Sequence, residues 1–132
     1  MTIYWRRVIG GAFLLELVLF AVLVPIGSVN QTLFLVAVPI GALAFGYLVT
    51  LGVLRKVRSG LWINAALLGF LATAIYFGIV IASAGIDAAI ATYGLPLFVF
   101  ANAMRLAGCL MAAFHLQRGA IASTSTARSQ RV

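Results

Sequence analysis

The sequence predicts an all-α membrane protein, an antiparallel bundle of four transmembrane helices joined by short loops. Three observations carry this reading. Of 132 residues, 64% are hydrophobic and 8% are charged, against roughly 45–50% and about 25% in an ordinary soluble domain. A soluble fold of this size buries only about two-thirds of the surface its open chain exposes, too little to hide so much apolar area. The apolar residues also fall into four runs of roughly 19–24 residues each, and about 20 helical residues cross a ~30 Å hydrocarbon core. Finally, the cations sit at the ends of those runs. No period-2 alternation suggests a β-barrel. Helix is the economical choice, because each backbone N–H and C=O in lipid must be paired within its own segment.

The first run spans about 8–26. Arg6 and Arg7 precede it, as in a signal peptide. It is too long for such an apolar segment, carries Glu16 and has no small-x-small cleavage site, so it reads as a retained first helix. Pro25 is expected to end it. The second run spans about 32–54, with Pro39 inside, where a missing backbone donor predicts a kink. The third spans about 61–84 and the fourth about 93–116, with Pro96 near its start, where the absent N–H costs little. The connections 27–31, 55–60 and 85–92 are short, so consecutive helices are expected to be antiparallel neighbours. Residues 1–118 form the membrane domain, and 119–132 form a polar tail expected to be poorly ordered.

The charge pattern sets orientation. Arg6 and Arg7, then Arg55, Lys56 and Arg58, then Arg118, Arg128 and Arg131 all fall on one side of the four runs. The other two connections hold no Lys or Arg, and one holds Asp87. The positive-inside rule then predicts cytoplasmic N and C termini, in a bacterial inner (plasma) membrane. Tyr4, Trp5 and Trp62 at one boundary, and Tyr93 at the other, fit an aromatic belt. The net charge of +7 does not point to nucleic acid, because there is no solvated basic stripe. Arg55, Lys56 and Arg58 either set topology or meet lipid headgroups.

Small residues four apart give close-packing faces: Ala42 and Gly46, Ala65 and Gly69, Ala74 with Gly78 and Ala82, Ala103 and Ala107, Gly108 and Ala112. Cys109, the only cysteine, reads as a small packing residue.

Two ionised groups lie well inside the runs. Glu16 is about 14 Å deeper than Arg7, and Arg105 about 20 Å from Arg118, at 1.5 Å per helical residue. These depths differ by about one turn, which an Arg side chain spans. An unpaired charge at mid-bilayer costs at least roughly 2.5–3.5 kcal/mol. Glu16 and Arg105 are therefore expected to pair, with helix one packed against helix four. Such a pair either fixes helix register or lines a polar pathway, or one of its members faces a partner protein. Asn102, three residues before Arg105, shares its face. Asn64 and Tyr76 are further polar candidates, and Thr73 is expected to bond back to its own helix. His115 reads as interfacial, and one His, one Cys and two acids make no zinc site.

No catalytic triad, paired carboxylates, P-loop, dinucleotide-binding glycine pattern, haem motif or CxxC is present. The expectation is a non-enzymatic protein without cofactor or metal. Its expected surroundings are the lipid bilayer and either a membrane-protein partner or further copies of itself in a homo-oligomer.

Four helices with one Glu in the first, here Leu14-Leu15-Glu16-Leu17, superficially resemble the small multidrug resistance transporters. That resemblance implies a role for Glu16 in binding cationic substrates and protons. The chain departs from that family in placing Arg105 within helix four. Its Pro39-Ile40-Gly41-Ala42 only faintly echoes the family's glycine- and aromatic-rich stretch. The pattern Tyr4-Trp5-Arg6-Arg7, Gly10-Gly11 and Glu16 is closer to small uncharacterised bacterial four-helix membrane proteins, a resemblance that implies no function.

Overall fold

A computed structural model describes the backbone of residues 2–129; the side chains of residues 84, 88–93 and 121–129 lie outside the described set. It is all-α: α1 (Trp5–Val29), α2 (Gln31–Leu54), α3 (Leu61–Tyr93) and α4 (Leu95–Ser129). Each contains a segment long and apolar enough to cross a membrane, in α3 Leu61–Ser83 and in α4 Leu95–Ala120.

The boundaries differ from expectation at three places. Pro25 does not end α1, which continues to Val29. Proline removes one donor, but in a membrane helix the remaining backbone groups still have no better partner than the helix itself. The first turn is therefore made by Asn30 alone, with extended backbone. Its N–H donates to the Ile26 carbonyl at 2.9 Å, and its side-chain Oδ1 accepts from the Leu33 N–H at 3.0 Å. Asn30 thus ends one helix and caps the next. Secondly, the connection expected at 85–92 is itself mostly helical. The helix breaks at Gly85 (φ 79°), resumes to Tyr93, and turns at Gly94 (φ 68°). Thirdly, the α4 backbone is helical to Ser129, through the region read as a polar tail.

Around the bundle the order is α1, α2, α4, α3. The most extensive interface is between α2 and α4, which run parallel, and α1 touches α2 and α3. Among the described residues, no Cα of α1 comes within 8 Å of a Cα of α4. Helix one therefore does not pack against helix four; the two lie on a diagonal. Likewise α2 and α3, joined by a short loop, share the smallest interface. A short loop brings helix ends together, but leaves their bodies free to diverge once other seams are tighter.

The tightest seam is set by glycine. A Cβ on Gly46 would lie 2.8 Å from the Arg105 carbonyl oxygen. One on Gly108 would collide with the Leu43 carbonyl oxygen and lie 2.9 Å from the Tyr47 N. Each glycine thus receives a backbone turn of the other helix, and lipid offers no competing apolar gain, so this contact decides the pairing. Ala42 and Ala112 are buried as predicted, as is Ala65, and Gly69 meets Leu106 and Cys109. Ala74, Gly78, Ala82 and Ala103 are exposed, so that part of the small-residue expectation is not met within the chain.

Burial is uneven along the bundle. The core cluster of Val8, Ala12, Leu15, Leu54, Ala65, Leu68, Cys109 and Ala113 fills the basic half. Among the described residues, none is buried in α1 after Leu19, in α2 before Pro39, in the Leu61–Ser83 span after Ala72, or in α4 before Ala101. One half of the bundle is closed, and the half away from the cations is loosely packed.

Candidate functional site: a buried ion pair beneath a cavity

Glu16 and Arg105 meet where the closed half ends. Arg105 Nη2 lies 3.2 Å from Glu16 Oε1, with Arg105 6% and Glu16 3% exposed. The expected pair forms, but across the diagonal. The side chains span a gap that the two backbones leave open. Arg105's own turn of α4 is seated against Gly46 of α2, and its long side chain makes the reach to Glu16.

The guanidinium is held from several directions. Its Nη1 donates to Asn102 Oδ1 at 2.9 Å and to Thr73 Oγ1 at 3.3 Å, and its Cζ stands 5.4 Å from the Tyr76 ring centroid, within cation–π range. Asn102 Nδ2 donates to the Phe98 carbonyl at 2.9 Å, fixing which end of the amide faces Arg105. Thr73 bonds back to the Gly69 carbonyl at 3.0 Å, as expected. With its proton directed there, its oxygen accepts from Arg105, a second role the sequence reading missed. The i, i+3 spacing found Asn102; no sequence signal aligned Thr73 with Arg105, because that needs the α3–α4 register.

The ion pair is charge against charge more than a shared proton. Glu16 Oε1 receives no well-directed hydrogen bond, and neither does the buried Arg105 Nε have an acceptor. Both residues line a cavity of about 70 Å³ in the loosely packed half. Its walls are Phe20, Leu23, Phe34 and Phe98, with Tyr76 and Asn102 beside the charged floor. Phe20, Phe98 and Tyr76 form a ring cluster, with centroids 6.0–6.3 Å from that of Tyr76.

Asn64 does not join this group. It is fully buried at the basic end, where its Oδ1 accepts from the Tyr4 N–H at 2.7 Å. Its Nδ2 donates to the Thr2 and Gly60 carbonyls at 3.0 and 2.8 Å. It latches the N-terminal segment onto the start of α3. Depth along the run placed it away from Glu16, and that distance decides the matter.

The cations gather at that same end. Arg7 Nη1 donates to the Val53 carbonyl at 3.2 Å, and Trp62 Nε1 to Gln117 Oε1 at 2.6 Å, tying the α1 and α3 starts to the α2 and α4 ends. Arg55, Lys56 and Arg58 are exposed there, and Arg118 stacks over the Phe114 ring at 4.3 Å. His115 is exposed, edge-on to Tyr47. Among the described residues no cluster of three metal-ligating side chains occurs. The side chains of Tyr93 and Arg128, and all of Arg131, lie outside the described residues. No family model matches the chain, and comparison with curated proteins and with solved structures finds no significant match.

Proposed function

We propose that the chain is a non-enzymatic integral membrane protein, a structural or accessory subunit of a membrane assembly. It sits in a bacterial inner membrane with both termini cytoplasmic, and its Glu16–Arg105 pair clamps the helix arrangement. The observation that supports this most is the clamp's position. It is the link across a diagonal where the α1 and α4 backbones do not meet, and Arg105's nearest polar partners come from three other positions in the same chain. The packed basic half, with Val8, Leu15, Leu68 and Cys109 fully buried, favours a clamp over a through-path. The gathering of Arg6, Arg7, Arg55, Lys56, Arg58 and Arg118 at one end supports the orientation.

A second reading has one observation in its favour. The pair forms the floor of a cavity, as a small oligomeric transporter or channel using Glu16 and Arg105 in a polar pathway requires. Reconstitution in liposomes separates the two. The clamp reading expects proton and cation flux equal to that of empty vesicles, and a loss of thermal stability in Glu16→Gln. Flux that Glu16→Gln abolishes while stability is kept replaces it with the transport reading. Native-membrane extraction in polymer discs, followed by intact-mass measurement, tests for the assembly. A chain that emerges only as a monomer with lipid removes the accessory role.

A further inference from the structure

We propose that the basic end of the bundle docks an anionic phospholipid, whose phosphate sits in a groove between the α2–α3 loop and the end of α4. The inference rests on the reading of the chain as an integral membrane protein. The sequence has two acidic residues against nine Lys and Arg. Glu16 is paired with Arg105, and Asp87 follows the apolar span of α3, at the other end. Arg6, Arg55, Lys56, Arg58 and Arg118 are exposed at the basic end, with no acidic side chain beside them. Setting topology needs cations at that end and needs no recess among them. The structure has one. A groove of about 330 Å³ lies between the segment Arg58–Trp62 and the side chains of Gln117 and Ala120, a size within the ~300–1,000 Å³ of small-molecule sites.

The polar side chains lining the groove are donors, and no carboxylate side chain is among them. Arg58 brings a guanidinium and Ser59 a hydroxyl, and neither has a hydrogen-bond or ion-pair partner among the described residues. Gln117 accepts from Trp62 through Oε1, which leaves the two N–H donors of its amide for a ligand. Such a set fits an anion with several acceptor oxygens. Depth selects the source of that anion. Leu61 opens the apolar span of α3 and Ala120 closes that of α4, so the groove lies level with the edge of the hydrocarbon, beside the headgroup region. Trp62 and Phe114 are each 45% exposed, with ring centroids 6.4 Å apart, and Phe114 lies about one helical turn deeper than Gln117. Amphipathic and apolar rings at this level lie against the glycerol and the upper acyl chains. A zwitterionic headgroup would bring its own ammonium towards Arg55, Lys56 and Arg58. An anionic headgroup meets no such repulsion, and each cation near it adds attraction.

The test reads lipid contact at Trp62 itself. Trp5→Phe leaves Trp62 as the single tryptophan of the full chain. That protein is placed in bilayers of phosphatidylcholine with brominated chains, which quench a neighbouring indole. Unbrominated phosphatidylglycerol or unbrominated phosphatidylcholine is then mixed in. Phosphatidylglycerol should restore the fluorescence about tenfold more effectively than its share of the bilayer, the effect of a hydrogen bond between charged partners. Arg58→Gln should bring the two lipids close to parity. Arg6→Gln, exposed at the same end but outside the groove, should keep most of the preference. Inorganic phosphate at buffer concentration should leave it unchanged. Equal recovery by the two lipids overturns the proposal. So does an equal loss in Arg6→Gln and Arg58→Gln, which makes the attraction a diffuse property of the basic end. A preference that phosphate abolishes makes the occupant a soluble anion and overturns it too. Quenching without lipid preference leaves the membrane reading standing, whereas a Trp62 that no brominated lipid quenches removes that reading together with the site.

Discussion

Replacing Gly108 by alanine tests the α2–α4 seam with a single methyl group. That methyl would strike the Leu43 carbonyl oxygen and stand 2.9 Å from the Tyr47 N. Both are backbone atoms of a continuous helix, so neither yields unless α2 moves. Alanine's helix preference favours the change by roughly 0.5–1 kcal/mol, while overpacking costs typically ~1–3 kcal/mol. With no side chain to rotate away, the upper part of that range applies, and the net is a loss of about 1–2 kcal/mol. Gly46→Ala, 2.8 Å from the Arg105 carbonyl, should behave alike and also displace the turn that aims Arg105. Gly11→Ala meets side chains rather than backbone, the Leu68 tip at 2.7 Å and the two Val53 methyls at 3.2 and 3.3 Å. Side chains can give where a helix backbone cannot, so the loss should be smaller than for Gly108→Ala. Gly10 and Gly52 have open space around them, and alanine there should be neutral or stabilising. Unfolding free energies from denaturing-detergent titration in mixed micelles rank the series. A Gly108→Ala protein as stable as Gly10→Ala would refute the assigned seam.

Two further substitutions probe the ends. Asn64→Leu removes three hydrogen bonds and leaves the Tyr4 N–H without its acceptor. It should release residues 2–4, seen as faster amide exchange there, and cost about 1–3 kcal/mol with little effect on the Glu16–Arg105 region. Asn30→Ala removes the cap that makes the single-residue turn and should cost ~0.5–2 kcal/mol; Asn30→Asp, which keeps an acceptor, should retain most of that stability in the same titration.

The four spans were legible because length and hydropathy are properties of a run, independent of what it touches. The Glu16–Arg105 pairing was legible because both depths count from interfacial arginines, and Asn102 because i, i+3 lies within one helix. The order of helices around the bundle was not legible. Depth gives position along the membrane normal and says nothing about which helices adjoin. In lipid, moreover, core and surface faces are equally apolar, so no hydrophobic stripe marks the buried side. Gly46 and Gly108 mark it, yet Ala74, Gly78 and Ala82 have the same spacing and are exposed. What separates them is a partner backbone at the right register, a property of two helices together. Pro25 and the 85–92 segment were misread for a related reason. Breaker residues were weighed as they act in water, where an interrupted helix can bond to solvent instead.

The account rests on Glu16 and Arg105 being one unit across the α1–α4 diagonal, and a double-mutant cycle in bilayer nanodiscs measures this directly. Glu16→Leu and Arg105→Leu alone should each lose on the order of 3–5 kcal/mol, because each leaves the other charge buried without its partner. The joint replacement removes both charges and should be far more stable than the sum of the singles implies. Losses that simply add would show that the two side chains do not compensate one another, and the clamp would have to be abandoned.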